Sequence, residues 1–553
     1  MSRLWSVPTL VVGNPAWGII VLVSMSVYLG LDASTQSLTA TLIEAEGERR
    51  ALIDEWSLDY DDLPSYGTEH GVLRDADPAV VAAPPLMWAD ALDRVIARAA
   101  ATRPREMARL AAVSGSAQQH GSVYLNEHGL RRVTALDPGT ALPAQLTDAF
   151  SRACSPVWMD SSTTAECREI ERATGGAQAL AERTGSHAFE RFTGPQIRAF
   201  FKRDPPGYAS TVRIHLVSSF HASLLAGTDA PIDHGDGSGM NLMELSTRSW
   251  WPKALAATAP DLSPKLPRLA PSWTVAGALA PYWRTRYGLP AARVIAWSGD
   301  NPCSLIGSGL VREGRLAISL GTSDTVCSFM RDARRETDIG YVSASPTGEF
   351  MGTTVFKNAS LARERVRDAF GLDWAGVSAA LRSTPPGNRG AMMLPWFDPE
   401  ITPHVATPGV LRIGLDANDG PANVRALVEA QMMAMANHTR WMTADPSHVL
   451  ATGGAAANRD ILQVMADVFD AEVIRSRAGN AASLGAAVRA FHADRMASGQ
   501  PIGWDEAVAG LTEPDPSACV APRPEAVVVY RELRRRYAEV ERQALERGFR
   551  GEL

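Results

Sequence analysis

Several short stretches of this chain carry side chains suited to handling a phosphoryl group. Asp32 to Ser37 (DASTQS) brings a carboxylate, hydroxyls and consecutive backbone N–H groups together in one polar turn. Such a turn can offer its amides and hydroxyls to a terminal phosphate. Asp32 can then stand near a Mg2+ ion, through water, because Mg2+ keeps much of its hydration shell. Gly321 to Asp324 (GTSD) is a second element of this kind. Asp, Ser and Thr also build ordinary turns through side-chain to backbone bonds, so either stretch alone is ambiguous; one in each half of the chain is harder to dismiss. Ala451 to Asp460 (ATGGAAANRD) places Gly453 and Gly454 at the end of an apolar run. Without Cβ atoms there, the backbone can approach a flat base or a ribose phosphate. Asn458 opens the next helix, either as a nucleotide ligand or as an N-cap. Ser298 to Pro302 (SGDNP) supplies a carboxylate, Asp300, after a strand. At an ordinary carboxylate pKa it is deprotonated at neutral pH, as a general base must be, although a turn Asp bonding its own backbone would look the same. Phosphate anchors, a place for a divalent cation and a proton-accepting carboxylate are the parts that phosphoryl transfer requires.

The elements that position these groups follow from periodicity. Residues 27–43 read as strand, tight turn and strand, with Leu38, Ala40 and Leu42 alternating with other neighbours. Ala111 to Ser114 is a short strand running into GSAQQHG, and Val294 to Trp297 is one running into SGDNP. Between them, residues 166–202 look helical, with stops expected near Gly175 and Gly194. Arg315 to Leu320 leads into GTSD and Thr325 to Met330 continues as a strand, so the second half opens as the first does. His448 to Gly454 is a buried strand followed by NRDILQVMADVF at helical spacing; 421–442 is a further helix, and Arg531 to Arg547 is a charged helix packed by one face. The duplication predicts a two-lobed α/β nucleotide-binding architecture with its boundary between residues 305 and 313.

A chain of 553 residues exceeds what one core usually supports, which leaves room for a cleft between lobes. Apolar residues at 45% and charged residues at 21% are the balance of a soluble globular protein. A net charge of -7 argues against a nucleic-acid partner, and the basic run Arg534 to Arg536 reads as a solvated helix face. The five cysteines form no CxxC pair, so neither a zinc site nor a disulfide framework is expected, and a reducing cytoplasm fits. The apolar stretch 19–30 is too short for a membrane span and runs directly into DASTQS; residues 1–24 are expected to be an extension ahead of a natural start at Met25. A Gly-rich phosphate loop ending in Gly-Lys-Ser/Thr is absent, as are the HRD and DFG signatures of protein kinases.

The order DASTQS, SAQQHG, FERFTGPQI, GDGSGMNLME, SGDNP, LGTSD, TGGAAANRDILQVMADVF resembles the FGGY carbohydrate kinases over about residues 27–492, most closely their xylulose-phosphorylating branch. The resemblance implies two ribonuclease H-like (actin-like ATPase) lobes around an interdomain cleft: a sugar-binding lobe at 25–308, an ATP-binding lobe at 309–492 and a C-terminal helical segment at 493–553. It implies ATP and Mg2+ as cofactors, a small-molecule sugar as substrate and, as is common in such families, a homodimer. Asp300 matches the catalytic base and Asn301 a sugar ligand; His120 and Arg191 match further sugar ligands, and Trp88 stands where a residue walls the sugar pocket. Ser34, Thr35 and Gln36, with Gly321, Thr322 and Ser323, are expected at the ATP phosphates, Asp32 at the metal, and Gly453, Gly454, Asn458 and Trp374 at the adenosine. Asp236 is expected to organise the sugar lobe near the cleft. The implied acceptor is D-xylulose, phosphorylated to D-xylulose 5-phosphate. Gly237, where an alanine is commoner, leaves room for a ribulose, arabinitol or gluconate type of acceptor. A catalytically silent sugar-binding regulator and an actin-like ATPase are the alternatives from other classes.

Overall fold

The structure, a computed structural model, describes residues 11–12, 21–22, 25–47, 49–334, 339–476, 480–513 and 516–547. Of the expected extension, Val11–Val12 pairs antiparallel with Val21–Leu22, and its remaining residues lie outside the described ones.

The first lobe is built on a mixed sheet. Ser26–Ala33 (β1) and Ser37–Glu46 (β2) form the expected hairpin, and Arg49–Asp59 (β3) adds an antiparallel outer strand. Leu110–Ala117 (β4) lies parallel to β1 on its other side; beyond it come Val275–Ala278 (β5), Arg293–Ile295 (β6) and the short Ser298–Gly299 (β7). The spatial order is β5-β6-β4-β1-β2-β3, with β7 beside the end of β4. β1 is buried along almost its whole length and β3 is largely exposed, as sequence at the centre and at the edge of a sheet requires. Pro85–Thr102 (α1) packs on one face, Thr193–Arg203 (α2) lies between β4 and β5 in sequence, and Asp300–Gly307 (α3) follows β7.

The second lobe repeats the pattern with Arg315–Leu320 (β8), Asp324–Met330 (β9), Tyr341–Ala344 (β10), Phe350–Phe356 (β11), His448–Thr452 (β12), Glu472–Arg475 (β13) and Cys519–Val520 (β14), in the order β10-β11-β9-β8-β12-β13-β14. In both lobes an antiparallel hairpin is extended on one side by an antiparallel strand and on the other by parallel ones. This is the ribonuclease H-like, actin-like arrangement in duplicate. Ser360–Ala369 (α4), Trp374–Ser383 (α5), Gly420–His438 (α6) and Arg459–Phe469 (α7) enclose a core rich in Met432, Met433, Met435 and Met465.

Ala481–Ala497 (α8) departs from the expected domain limits. It follows the second lobe in sequence, yet Ala487, Val488 and Phe491 pack on Tyr28, Ala112 and Ile295 of the first sheet. The fit is backbone on backbone: a Cβ on Gly485 would lie 2.0 Å from Cys303 O, and one on Gly307 would lie 1.9 Å from Ala481 O. The limit placed at residue 492 therefore cuts a single helix. Residues 493–553 are not a segment of their own either, because β14 joins the second sheet and Pro524–Glu546 (α9) buries Tyr530, Leu533 and Tyr537 against the second lobe. A second correction concerns Gly194, expected to stop a helix. It lies in the first turn of α2, where Pro195 favours a start, and the stops are Gly175 and Gly185, both left-handed with φ of 113° and 94°. Among the described residues no helix is long and apolar enough to cross a membrane.

Candidate active site

β1, β4 and β7 end side by side, with Asp32 opposite Ser116 and Ser116 opposite Ser298. The Ser116 hydroxyl donates to one oxygen of Asp32 and the Ser34 hydroxyl to the other. Burial raises the Asp32 pKa against these bonds. The turn after β1 is closed by Ser34 N–H donating to Ser37 O at 3.0 Å, and Gln36, exposed at its tip, accepts the Tyr60 N–H through its carbonyl at 2.8 Å. The Thr35 hydroxyl accepts a hydrogen bond of 2.7 Å from the Trp158 indole, a partner with no signal in the sequence.

Asp300 opens α3 one residue beyond β7. Asn301 N–H donates to Asp300 Oδ1 at 2.8 Å, and Asn301 Nδ2 donates to Gln119 Oε1 at 2.9 Å. Removal of water around Asp300, and next the negative charge of Asp32, push its pKa up to about 7. This corrects the expectation of an ordinary carboxylate: near neutral pH the group is poised between its two forms.

His120 sits at φ 71°, with Nδ1 2.9 Å from Gly239 O and its ring stacked on Phe192 at 4.4 Å. Burial, and then the Arg191 charge, lower its pKa to about 3. The ring is therefore neutral, Nδ1 carries the hydrogen donated to the carbonyl, and Nε2 is left as an acceptor. The Arg191 guanidinium lies 4.9 Å over Phe189 and 5.4 Å over Phe192, so Phe192 is a common wall for His120 and Arg191. Phe189 in turn meets the Tyr341 ring on β10 of the second lobe edge to face at 6.2 Å.

Trp88 is not brought to this group as an exposed wall. It is 0% exposed in the first-lobe core, and its indole N–H has no partner among the described residues. A tryptophan in the first turn of α1 is large and apolar enough that the core claims it. Asp236 lies on the single turn His234–Gly237 that packs behind β7. The Ser218 hydroxyl donates to one of its oxygens at 2.5 Å, and the other oxygen has no partner among the described residues. Burial, with Asp233 and Asp300 adding to it, raises its pKa well above the usual range.

On the second lobe, Gly321, Thr322, Trp374, Ser378, Gly454 and Asn458 line a cavity of about 740 Å³. Trp374 is 41% exposed there, with the Arg367 guanidinium 4.8 Å over its ring. Gly453 has φ 84°, and a Cβ on it would lie 2.5 Å from Leu320 O, whereas a Cβ on Gly454 would meet nothing. Asn458 caps α7, accepting from Asp460 N–H at 3.0 Å and Ile461 N–H at 3.2 Å while donating to the Ser378 hydroxyl at 2.9 Å. Its capping reading therefore holds, at the edge of the cavity. Thr322 and Ser323 are exposed in the turn, and Asp324 behind them is buried in a two-bond pair with Arg363 at 2.8 and 2.9 Å.

An adenine nucleotide fits this cavity in volume, in its aromatic wall and in its Cβ-free side at Gly454. Asp32 accepts one hydroxyl on each oxygen and keeps a lone pair on each, so the carboxylate could hold a hydrated cation.

The chain matches two family models: the N-terminal domain of the FGGY family of carbohydrate kinases over residues 148–307 and the C-terminal domain over 316–493. It is 41% identical to a rat protein named xylulose kinase over 530 residues, 94% of this chain and 97% of that one. It is 42% identical to Arabidopsis thaliana xylulose kinase 2 over 490 residues, 84% and 87% of the two chains. Its fold superposes on the crystal structure of xylulose kinase from Rhodospirillum rubrum with a TM-score of 0.78 at 19% identity, covering 95% and 100% of the chains. Gluconate kinase from Lactobacillus acidophilus gives 0.76 at 16%, covering 94% and 98%. With paired domain models, relatives of this identity over nearly the full length and a shared two-lobed fold, the chain belongs to the FGGY family of carbohydrate kinases.

Proposed function

We propose that this kinase transfers the γ-phosphoryl group of ATP to D-xylulose, giving D-xylulose 5-phosphate, with Asp300 as general base. The observation that carries the reading is the position of Asp300: beside Asn301, linked through the Gln119–His120 loop to Arg191, and close enough to Asp32 for the two charges to interact. The names of the relatives support the choice of a ketopentose.

In this reading His120 Nε2 accepts a hydrogen bond from one sugar hydroxyl, while Arg191 and Asn301 donate to other sugar oxygens. Asp300 takes the proton of the attacking hydroxyl, a task for which a pKa near the working pH is well suited. Bound ATP with Mg2+ would supply the phosphoryl group and neutralise its charge. The turns at Ser34, Thr35 and Gln36 and at Gly321, Thr322 and Ser323 offer N–H and hydroxyl groups to phosphate oxygens. Trp374, Gly454 and Asn458 line the cavity that takes the base, the turn at Gly453 brings Gly454 to it, and Asp32 would orient metal-bound water. Closure of the lobes excludes bulk water and so suppresses idle hydrolysis.

A coupled ADP-release assay with D-xylulose, ribuloses, arabinitol, gluconate and glycerol, beside Asp300→Ala, tests this. Turnover greatest on D-xylulose and lost in the variant is expected. Turnover greatest on another acceptor would discard the substrate, and an active Asp300→Ala enzyme would discard the base.

A further inference from the structure

Trp158 is 46% exposed, yet the turn that carries it is fixed from below. Asp160 N–H donates to Val157 O at 2.9 Å and closes the turn around Trp158, while Ser161 N–H donates to Ala79 O at 2.8 Å. The buried Asp160 carboxylate accepts from Val81 N–H at 3.1 Å on one oxygen. Its other oxygen accepts from Ser162 N–H at 3.0 Å and from Gln196 Nε2 at 2.7 Å. The ring is therefore presented from a backbone that its surroundings hold in place.

The indole N–H donates to the Thr35 hydroxyl at 2.7 Å. An indole nitrogen offers a hydrogen and no lone pair, so the direction of this bond is settled: Thr35 Oγ1 accepts, and the hydroxyl's own hydrogen remains to be donated elsewhere. Other groups hold the backbone of the same turn. Gln36 O accepts the Tyr60 N–H at 2.8 Å, and Gly71, at φ 75°, lies so close to Thr35 O that a Cβ on it would come within 2.1 Å. Asp61 secures Gly71 by accepting the N–H groups of His70 at 2.8 Å and of Gly71 at 3.1 Å. The carbonyls of Thr35 and Gln36 are thus packed against the protein, and the Thr35 side chain is tied separately, by the indole.

We propose that Trp158 is a positioning residue for phosphoryl transfer: by donating to Thr35 Oγ1 it fixes this hydroxyl so that the hydroxyl's own hydrogen is available to an oxygen of the transferred phosphoryl group. A threonine hydroxyl with no fixed partner can accept as well as donate. One that already accepts from a fixed indole is left as a donor, the polarity that a phosphate oxygen requires. Trp158 need not touch ATP or sugar. Its support also reaches the acceptor side, because Gln196 Nε2, bonded to Asp160, donates as well to Glu190 O at 3.1 Å, one residue before Arg191. The phosphate turn and the sugar loop are set on a common frame. The inference rests on the kinase reading of this site and not on which sugar is the acceptor.

Trp158→Phe keeps an aromatic ring and removes the donor; Thr35→Val keeps the shape and removes the hydroxyl. Calorimetric titration with Mg2+ and either ADP or the non-hydrolysable β,γ-methylene analogue of ATP, with D-xylulose present, separates the terminal phosphate from the rest of the nucleotide. In Trp158→Phe the affinity for the triphosphate analogue should fall roughly fivefold, the scale of one net hydrogen bond, with the affinity for ADP and the KM for sugar changed less than about twofold. Turnover with ATP should fall by a similar factor. Thr35→Val should show the same pattern, and the double variant should be no weaker than Thr35→Val alone. Trp158→His, whose Nε2 stands where the indole nitrogen does on its five-membered ring, should retain affinity that Trp158→Phe loses. Thermal unfolding establishes that each variant is folded. Parallel losses for ADP and the analogue, additive effects of the two substitutions, or an unchanged affinity for the analogue in Trp158→Phe would overturn the proposal and leave the kinase reading standing. A wild type that binds neither nucleotide would sink both.

Discussion

Replacing Asp300 by Asn should make the folded protein more stable above neutral pH while abolishing turnover. The carboxyl pKa stands at about 7 in the fold against 3.8 for the free group, because burial strips its water and the charge on Asp32 lies nearby. Below about pH 4 both folded and unfolded chains hold the proton, and ionisation costs nothing. Between the two pKa values the unfolded chain releases the proton and the folded chain keeps it, so stability falls as pH rises; above about 7 the loss is complete. The gap of about three pH units corresponds to roughly 4 kcal/mol at 1.36 kcal/mol per unit, an upper bound because water entering the cleft screens the charge. The amide of Asp300→Asn keeps the shape and cannot ionise. Urea unfolding of wild type and Asp300→Asn from pH 4 to 8.5, without nucleotide or metal, should show a stability gap that opens between pH 4 and 7 and is flat above. A gap independent of pH, or one that closes as pH rises, would refute the raised pKa and the electrostatic reasoning behind it.

Sugar-dependent kcat/KM should fall about tenfold from pH 8 to pH 6 as Asp300 gains its proton; an acidic limb centred near pH 4 would count against its role as base. Trp374→Ala should raise the KM for ATP roughly tenfold, the scale of one base–aromatic stack, and leave the sugar KM unchanged. Gly453→Ala, forced to a φ of 84° with a Cβ 2.5 Å from Leu320 O, should cost roughly 1–3 kcal/mol in chemical denaturation and weaken nucleotide binding with it; a variant as stable as wild type would show that the turn relaxes.

Much of this architecture is legible in the chain because local pattern and global fold agree. The hairpin around Ser34 and its counterpart around Thr322 announce themselves through alternation and turn chemistry, and their repetition discloses the duplicated lobes. What stays hidden depends on partners remote in sequence. The pKa of Asp300 is set partly by Asp32, and the Phe189 ring under Arg191 meets Tyr341 of the other lobe; neither relation leaves a local trace. Two tryptophans near helix starts illustrate the same limit. Trp374 opens its helix on a cavity and Trp88 is swallowed by the core, a difference made by what packs above them. Gly194 is open to misreading for a similar reason: glycine punctuates both ends of helices, and only the following Pro195 points to a start.

The path of α8 bears on how the protein is made. Translation delivers the strands of the first lobe early, but the apolar face formed by Tyr28, Ala112 and Ile295 receives its cover of Ala487, Val488 and Phe491 only after nearly the whole second lobe has emerged. Through most of synthesis the nascent first lobe carries a bare, sticky sheet face, the kind of surface that chaperones and proteases recognise. A chain that stops before residue 481 therefore leaves this face of the first sheet without its helix.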